Sequence, residues 1–219
     1  MKALAIFGST ARNDRNIDSD IDLIGIYDEN IIKAKNCSNT SLFLYPEVLL
    51  SEKMLSGDLF ALHLVKESVP LYGEELLHKV YSNFKYKNSY GEEINTSLKL
   101  ASEILKQYTQ LNEYSEANKK IVWCLRTLII SLSAQDRAPV FSKQSISEYI
   151  PLSISSKSIL KLINLKDTKE QFSENILKKF NCLFDELSKK FKCSESSTNE
   201  RLINEVVKHI QSRNKLLEY

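Results

Sequence analysis

Phe7-Gly8-Ser9-Thr10-Ala11-Arg12, with Ile17-Asp18-Ser19-Asp20-Ile21-Asp22-Leu23 shortly after it, decides how this chain is read. Residues 3–7 are small or apolar and too few to make a helix before Gly8, so they read as a buried strand running into a turn. Glycine lets the backbone approach a ligand with no β-carbon in the way. If residues 9–12 open a short helix, the free N–H groups of its first turn point at whatever lies above, and phosphate suits that place. Residues 21–27 form the next strand, with Ile21, Leu23 and Gly25 on one side and Asp20, Asp22 and Ile24 on the other.

The D-x-D spacing sets both carboxylates on one side of the strand, close enough to share hard cations. Magnesium takes oxygen ligands in octahedral geometry and is held by one or two carboxylates, water and the phosphates of its substrate. A pair of such ions polarises an α-phosphate, neutralises developing charge and lowers the pKa of an attacking hydroxyl. A solvated acidic turn of Asp18, Asp20 and Asp22 before an ordinary strand is the plainer alternative. It leaves the Gly-Ser turn at its fixed distance unexplained.

The stretch from Phe7 to Leu23 resembles the signature of the DNA polymerase β-like nucleotidyltransferase superfamily in its minimal bacterial form, roughly h-G-S-x-A-R-G-x(5)-S-D-I-D-L, with Asn13 in place of the glycine after Arg12. The resemblance implies that Gly8 and Ser9 bind a nucleoside triphosphate (NTP) and that Asp20 and Asp22 are catalytic carboxylates that ligate Mg2+, as two ions. It also implies that Arg12 supports the turn or touches phosphate. The phrases Gly57-Asp58-Leu59-Phe60-Ala61-Leu62-His63-Leu64 and Pro70-Leu71-Tyr72-Gly73 are similar to stretches in bacterial relatives as well. His63 reads as a core or hydrogen-bonded histidine rather than a base.

The superfamily places a third carboxylate on the following strand in a pattern like h-D-h-h-x-P-E-x-L. Anchoring on Pro46-Glu47 puts Leu42 at the acid's position. Glu47 is then a candidate catalytic substitute, although an acid there also suits a helix start. Glu103 or Glu113 from the later half are further candidates, as in antibiotic nucleotidyltransferases. Relatives also carry a helix before the first strand, whereas Met1 begins almost on it, so that face is to be closed by the helical half, by another subunit, or not at all.

All five glycines lie at or before Gly91. The remaining residues are therefore expected to be nearly all helix, with turns made by Ser, Asn and Pro. The expected fold is α+β: a small mixed β-sheet nucleotidyltransferase lobe over residues 1–90, then an all-α helical bundle over residues 91–219 for a substrate or partner. Helices are expected at about 93–113, 116–135, 143–150, 156–164, 168–192 and 198–217. In one of them Phe172, Ile176, Phe180, Leu183, Phe184, Leu187 and Phe191 form a buried stripe. A second stripe of Ile121, Val122, Leu125, Leu128, Ile129 and Leu132 is interrupted by Trp123 and Arg126, and Arg126 needs a carboxylate or phosphate partner. The turn from Asp136 to Lys143 is similar to the helical substrate domain of aminoglycoside-type nucleotidyltransferases. Between the lobes, Lys79, Lys85 and Lys87 interleave with Tyr81, Phe84, Tyr86 and Tyr90, either as a base-stacking, phosphate-holding strip or as a linker whose rings pack on both sides.

The first 90 residues carry 10 Lys+Arg against 12 Asp+Glu and the rest 20 against 16, which suits an anionic substrate without marking a nucleic-acid binder. Cys37, Cys124, Cys182 and Cys193 show no C-x-x-C pairing. No signal segment or membrane-length apolar run is apparent, so the expected location is the cytoplasm. Two functions fit. One is an enzyme, a magnesium-dependent nucleotidyltransferase moving a nucleoside monophosphate from an NTP to a hydroxyl acceptor: a small molecule, an RNA end or a protein. The other is a catalytically weakened binding protein on this fold, such as the antitoxin or partner component of a toxin–antitoxin or defence system; under either function a homo-oligomer, a protein partner or RNA is a candidate partner. A HEPN-type ribonuclease is disfavoured, since Arg201 and His209 are too widely spaced.

Overall fold

The computed structural model describes residues 1–14, 20–191 and 197–215. Asp18 and Cys193, and the outer ends of the two last expected helices, lie outside those residues. The chain divides into two compact units, Met1–Asn88 and Ser89–Tyr219.

The first unit is built from β1 (Ala3–Phe7), α1 (Gly8–Ala11), β2 (Ile21–Tyr27), β3 (Lys33–Cys37), β4 (Thr40–Pro46), α2 (Glu47–Leu55), α3 (Leu59–Glu67), β5 (Val69–Tyr72) and α4 (Glu74–Tyr81). Its five strands lie in the order β3-β4-β2-β1-β5. The β2–β4 pair is parallel and the others are antiparallel, so the sheet is mixed, as the sequence implies. Strand alternation sends Ala3, Ala5 and Phe7 of β1 and Ile24 and Ile26 of β2 to one face, where they pack with Tyr45, Leu50, Met54, Ala61, Leu64, Leu77 and Val80.

Two elements were not expected. Lys33–Cys37 has no alternation of apolar and polar residues, because β3 is an edge strand; lysines on such an edge discourage pairing with another chain. Glu74–Tyr81 is amphipathic, and α4 buries Leu77 and Val80 while starting from Gly73 in the left-handed region at φ +67°.

The aromatic and lysine-rich segment packs rather than projects. Gly57 has φ +67°, and a β-carbon there would lie 2.5 Å from the Lys85 carbonyl oxygen and 2.6 Å from the Lys87 nitrogen, so only glycine lets this backbone pass. The Lys85 N–H donates to the Met54 carbonyl at 3.0 Å, and Phe84 packs against the first core with Tyr86 edge-on to it at 5.2 Å. Tyr90 is fully buried in the second unit, its N–H donating to Gln135 Oε1 at 2.7 Å. Phe84 and Tyr90 are thus part of the packing of their own units.

The second unit contains α5 (Gly91–Gln107), α6 (Ser115–Gln135), α7 (Lys143–Glu148), α8 (Ser156–Ile163), α9 (Glu174–Phe191) and α10 (Glu200–Lys215), with 3-10 turns at Tyr108–Gln110 and Asn164–Asp167. Leu100, Ile104, Ile121, Leu125, Leu128, Phe180, Leu183 and Leu187 are among its core residues. The helix expected from residue 168 starts at Glu174 instead. Phe172 stays in the core from the preceding segment, whose backbone is held by side chains: the Phe172 N–H donates to the Tyr108 hydroxyl at 2.8 Å, and Asn118 Nδ2 donates to the Thr168 and Glu170 carbonyls, each at 2.9 Å. Tyr108 donates in turn to Asn118 Oδ1 at 2.7 Å. No helix among the described residues is long and apolar enough to cross a membrane.

Candidate nucleotide site

β1 ends at Phe7, and the chain turns at once through Gly8 into α1. Gly8 has φ +71°, and a β-carbon on it would lie 3.2 Å from Asp22 Oδ2. The turn and the carboxylate are thus neighbours, because the β1–β2 register sets Phe7 opposite Asp22. Glycine serves twice here, by adopting the left-handed backbone and by leaving room for the acid. Asp20 directly precedes β2, two residues before Asp22, and is exposed. Ser9 is half-buried in α1, and Phe7 gives the helix no side-chain cap, so its first-turn N–H groups meet no capping oxygen from that residue. The hydroxyl of Thr10, one residue on, is buried with no hydrogen-bond partner.

Arg12 closes the turn. Its N–H donates to the Gly8 carbonyl at 3.1 Å, its Nε donates to Asp14 Oδ2 at 3.0 Å, and its Nη1 forms an ion pair with Glu67 at the end of α3. The same Glu67 oxygen accepts from His63 Nε2 at 2.6 Å, and Glu67 keeps only 11% of its side chain exposed. The His63 ring stands edge-on to Phe7 at 5.6 Å. Arg12, Glu67 and His63 therefore tie the Gly-Ser turn to α3. Arg12 is thus bonded to the turn and to α3, and His63 is hydrogen-bonded to Glu67.

Below Asp22 on the same face the sheet becomes aromatic. Phe7, Phe43 and Phe60 contact one another at 5.7 to 6.1 Å, and Tyr45 stacks on Phe60 at 5.8 Å. Burial pushes the pKa of the Tyr45 hydroxyl up. The polar site thus lies at the margin of the face, where the core ends.

Glu47 is not brought to this place. It opens α2 after the carboxyl end of β4, whereas Asp22 stands beside Ser41 near the amino end of that strand, six residues or about 20 Å of strand away. Glu47 accepts from Lys79 Nζ at 3.0 Å and lines a cleft with Lys2, Asp28 and Val48. The structure also replaces Leu42 as the position to compare with a third acid. In the parallel β2–β4 register Leu42 lies beside Leu23 on the opposite face, and Ser41 is the neighbour of Asp22. Glu103 accepts from Lys106 at 2.8 Å, and Glu113 accepts from the Ser115 N–H at 3.0 Å. Arg126 donates through Nη2 to the Phe141 carbonyl at 3.5 Å, a structural contact within the second unit.

Residues 2–72 match the family model of the nucleotidyltransferase domain. The match spans the whole five-stranded sheet, from before β1 to the last residue of β5. Over residues 2–72 the chain is therefore similar to a nucleotidyltransferase domain, consistent with the polymerase β-like superfamily, and nucleotidyl transfer is the general activity of that class. No curated protein matches the chain.

The donor set agrees in kind with a hard cation. Asp20 and Asp22 offer only carboxylate oxygens, and among the described residues no group of three or more His, Cys, Asp or Glu side chains is arranged to hold a metal. Two carboxylates completed by water and phosphate oxygens is a normal arrangement for Mg2+.

Proposed function

We propose that this protein is a magnesium-dependent nucleotidyltransferase that moves a nucleoside monophosphate from an NTP to a hydroxyl acceptor, releasing pyrophosphate. The observation that carries the reading is the approach of the Asp22 carboxylate to the Gly8 turn, since a triphosphate cradled by that turn lies beside the acid. Ser9 and the N–H groups of α1 receive the triphosphate, and Arg12 keeps the turn in place through Glu67. Asp20 and Asp22 would hold the cation, which polarises the α-phosphate and draws off charge as the bond to pyrophosphate breaks. Phe7, Phe43 and Phe60 pack together on the face below Asp22 and give the site an apolar floor. Glu47 is assigned to the Lys79 ion pair and the start of α2, not to catalysis.

One observation favours the second reading, a weakened domain that binds nucleotide or a protein partner without transferring efficiently. Ser41, not an acid, flanks Asp22 on β4. Incubating the protein with each labelled NTP, Mg2+ and acceptors of three kinds (small molecules, RNA ends, proteins) decides between the readings, with Asp20→Ala/Asp22→Ala alongside. Label transfer that disappears in the double variant establishes the enzyme. Cation-dependent NTP binding with no transfer to any acceptor class favours the binding protein.

A further inference from the structure

The helix α2 carries apolar side chains on two sides. Leu50 and Met54 are fully buried in the first core, whereas Val48, Glu52 and Leu55 are exposed. Glu52 and Leu55 follow Val48 by four and seven residues, so the three form one stripe about 10 Å long on the outer side of the helix. Val48 is 67% and Leu55 51% exposed, on a side where a surface helix is ordinarily polar. With Tyr27, Asp28 and Asn30 at the end of β2, the stripe lines a cleft of about 770 Å3. Ile31 and Ile32, next along the chain, are exposed as well.

The charged lining of this cleft is one-sided. Asp28, Glu29, Glu47 and Glu52 supply four carboxylates against the one ammonium of Lys2, which bonds to Asp28 at 2.7 Å. Glu29 and Glu47 pair with Lys33 and Lys79, which are not part of the lining, and solvent-accessible pairs of this kind are weak enough for another cation to displace. Glu52 has no ion-pair partner among the described residues. Such a lining repels a polyanion, whether RNA or an anionic membrane. A small cation alone would leave Val48 and Leu55 in water. A segment with both apolar and basic side chains satisfies both features, and apolar residues two turns apart are the spacing that a helix laid along α2 covers.

We propose that the cleft beside α2 docks a basic amphipathic helix of a partner protein, whose apolar side chains cover Val48 and Leu55 while its lysine or arginine side chains pair with Glu52 and the neighbouring carboxylates. Asp22 lies five residues, or about 17 Å, back along β2 from Tyr27. Docking is therefore an event separate from nucleotide binding, and the proposal stands apart from the transfer reaction.

Fluorescence anisotropy of the full-length protein with a labelled leucine-lysine amphipathic peptide of about four helical turns tests this, beside the same peptide with glutamate in place of lysine. The lysine peptide is expected to bind about tenfold or more tightly than the glutamate peptide, and to weaken as salt is raised. Val48→Ser/Leu55→Ser and, separately, Glu52→Lys are each expected to weaken its binding about tenfold. Circular dichroism melting verifies that each variant is folded. Backbone amide shifts in NMR spectra of the wild type are expected to move in residues 27–31 and 47–55 when the lysine peptide is added, and they decide the matter should a variant fail to fold. Absence of binding, equal binding of the two peptides, folded variants that bind as the wild type does, or shifts confined to other residues each overturn the proposal. Sedimentation velocity of the protein alone covers the remaining occupant: a dimer that Val48→Ser/Leu55→Ser separates overturns it in favour of a second copy of this chain.

Discussion

At the scale of single residues, the proposed site rests on two neighbours, Gly8 and Asp22. On the proposed function, Asp22→Asn keeps the shape and removes a charge that would hold the cation, so nucleotidyl transfer is expected to fall on the order of a thousandfold, as loss of several kcal/mol of charge stabilisation requires. Little change in thermal stability is expected beside it. A variant that transfers label at the wild-type rate would remove Asp22 from the mechanism. Gly8→Ala acts on the backbone: at φ +71° a non-glycine residue costs about 1–2 kcal/mol, and the added methyl must push against Asp22 Oδ2 from 3.2 Å. Urea denaturation should show that loss, and isothermal titration should show weaker NTP binding. Both residues were readable in the sequence, since a strand running into Gly-Ser and a D-x-D spacing each follow from local rules. The neighbour of Asp22 on β4 was not. Counting from Pro46-Glu47 indicates Leu42, whereas strand pairing puts Leu42 beside Leu23 and Ser41 beside Asp22, and a register of this kind is a long-range property.

At the scale of elements, one ion-pair group ties α1 to α3, and one hydroxyl ties a loop to α6. Glu67 is nearly covered and accepts from two partners, so Glu67→Gln is expected to cost about 1–3 kcal/mol, while Asp14→Asn, at a far more exposed carboxylate, costs within about 1 kcal/mol. Equal losses in urea denaturation would mean that Glu67 is no more than a surface ion-pair partner. In the second unit Tyr108 is fully buried and bonded to both Asn118 and Phe172, and burial raises its pKa from the ordinary 10.0 to about 12. The folded state then holds the proton more tightly than the unfolded chain. This contribution to stability is complete below pH 10 and is lost as pH rises through about 12. Tyr108→Phe should flatten the alkaline decline in part, since burial also raises Tyr45, Tyr81 and Tyr149, and should cost about 2–3 kcal/mol at neutral pH by leaving the Phe172 N–H and the Asn118 carbonyl without this partner. Stability measured against pH for both proteins checks the sign. The same contacts explain one failure of the periodicity reading. Phe172 fits the stripe of α9 in spacing, yet side chains from Tyr108 and Asn118 hold its segment out of the helix. β3 escaped notice for the opposite reason, since an exposed edge strand has no apolar face to announce it.

At the scale of the molecule, the described residues form two separate clusters of buried side chains, one around Ile24, Leu50 and Leu64 and one around Leu125, Leu128 and Phe180. The absence of glycine after Gly91 made the second unit readable as helical, and alternation in β1 and β2 made the sheet readable; each signal belongs to its own core. The chain has a single tryptophan, Trp123 on α6, and it is 40% exposed with Lys120 Nζ 5.6 Å from its ring centre. Its fluorescence reports the helical unit. Phe180→Ala is therefore expected to lower the Trp123-reported stability by about 3–5 kcal/mol, and Leu64→Ala to leave that signal unchanged while accelerating hydrogen exchange in β1 and β2. A nucleotide with Mg2+ at about a hundred times its Kd adds about 2.7 kcal/mol to whatever binds it. If the Gly8 turn and Asp22 are that place, exchange in β1 and β2 slows by about a hundredfold and the Trp123 midpoint stays fixed. A Trp123 midpoint that rises with nucleotide as much as β1 and β2 are protected would mean that the two clusters unfold as one.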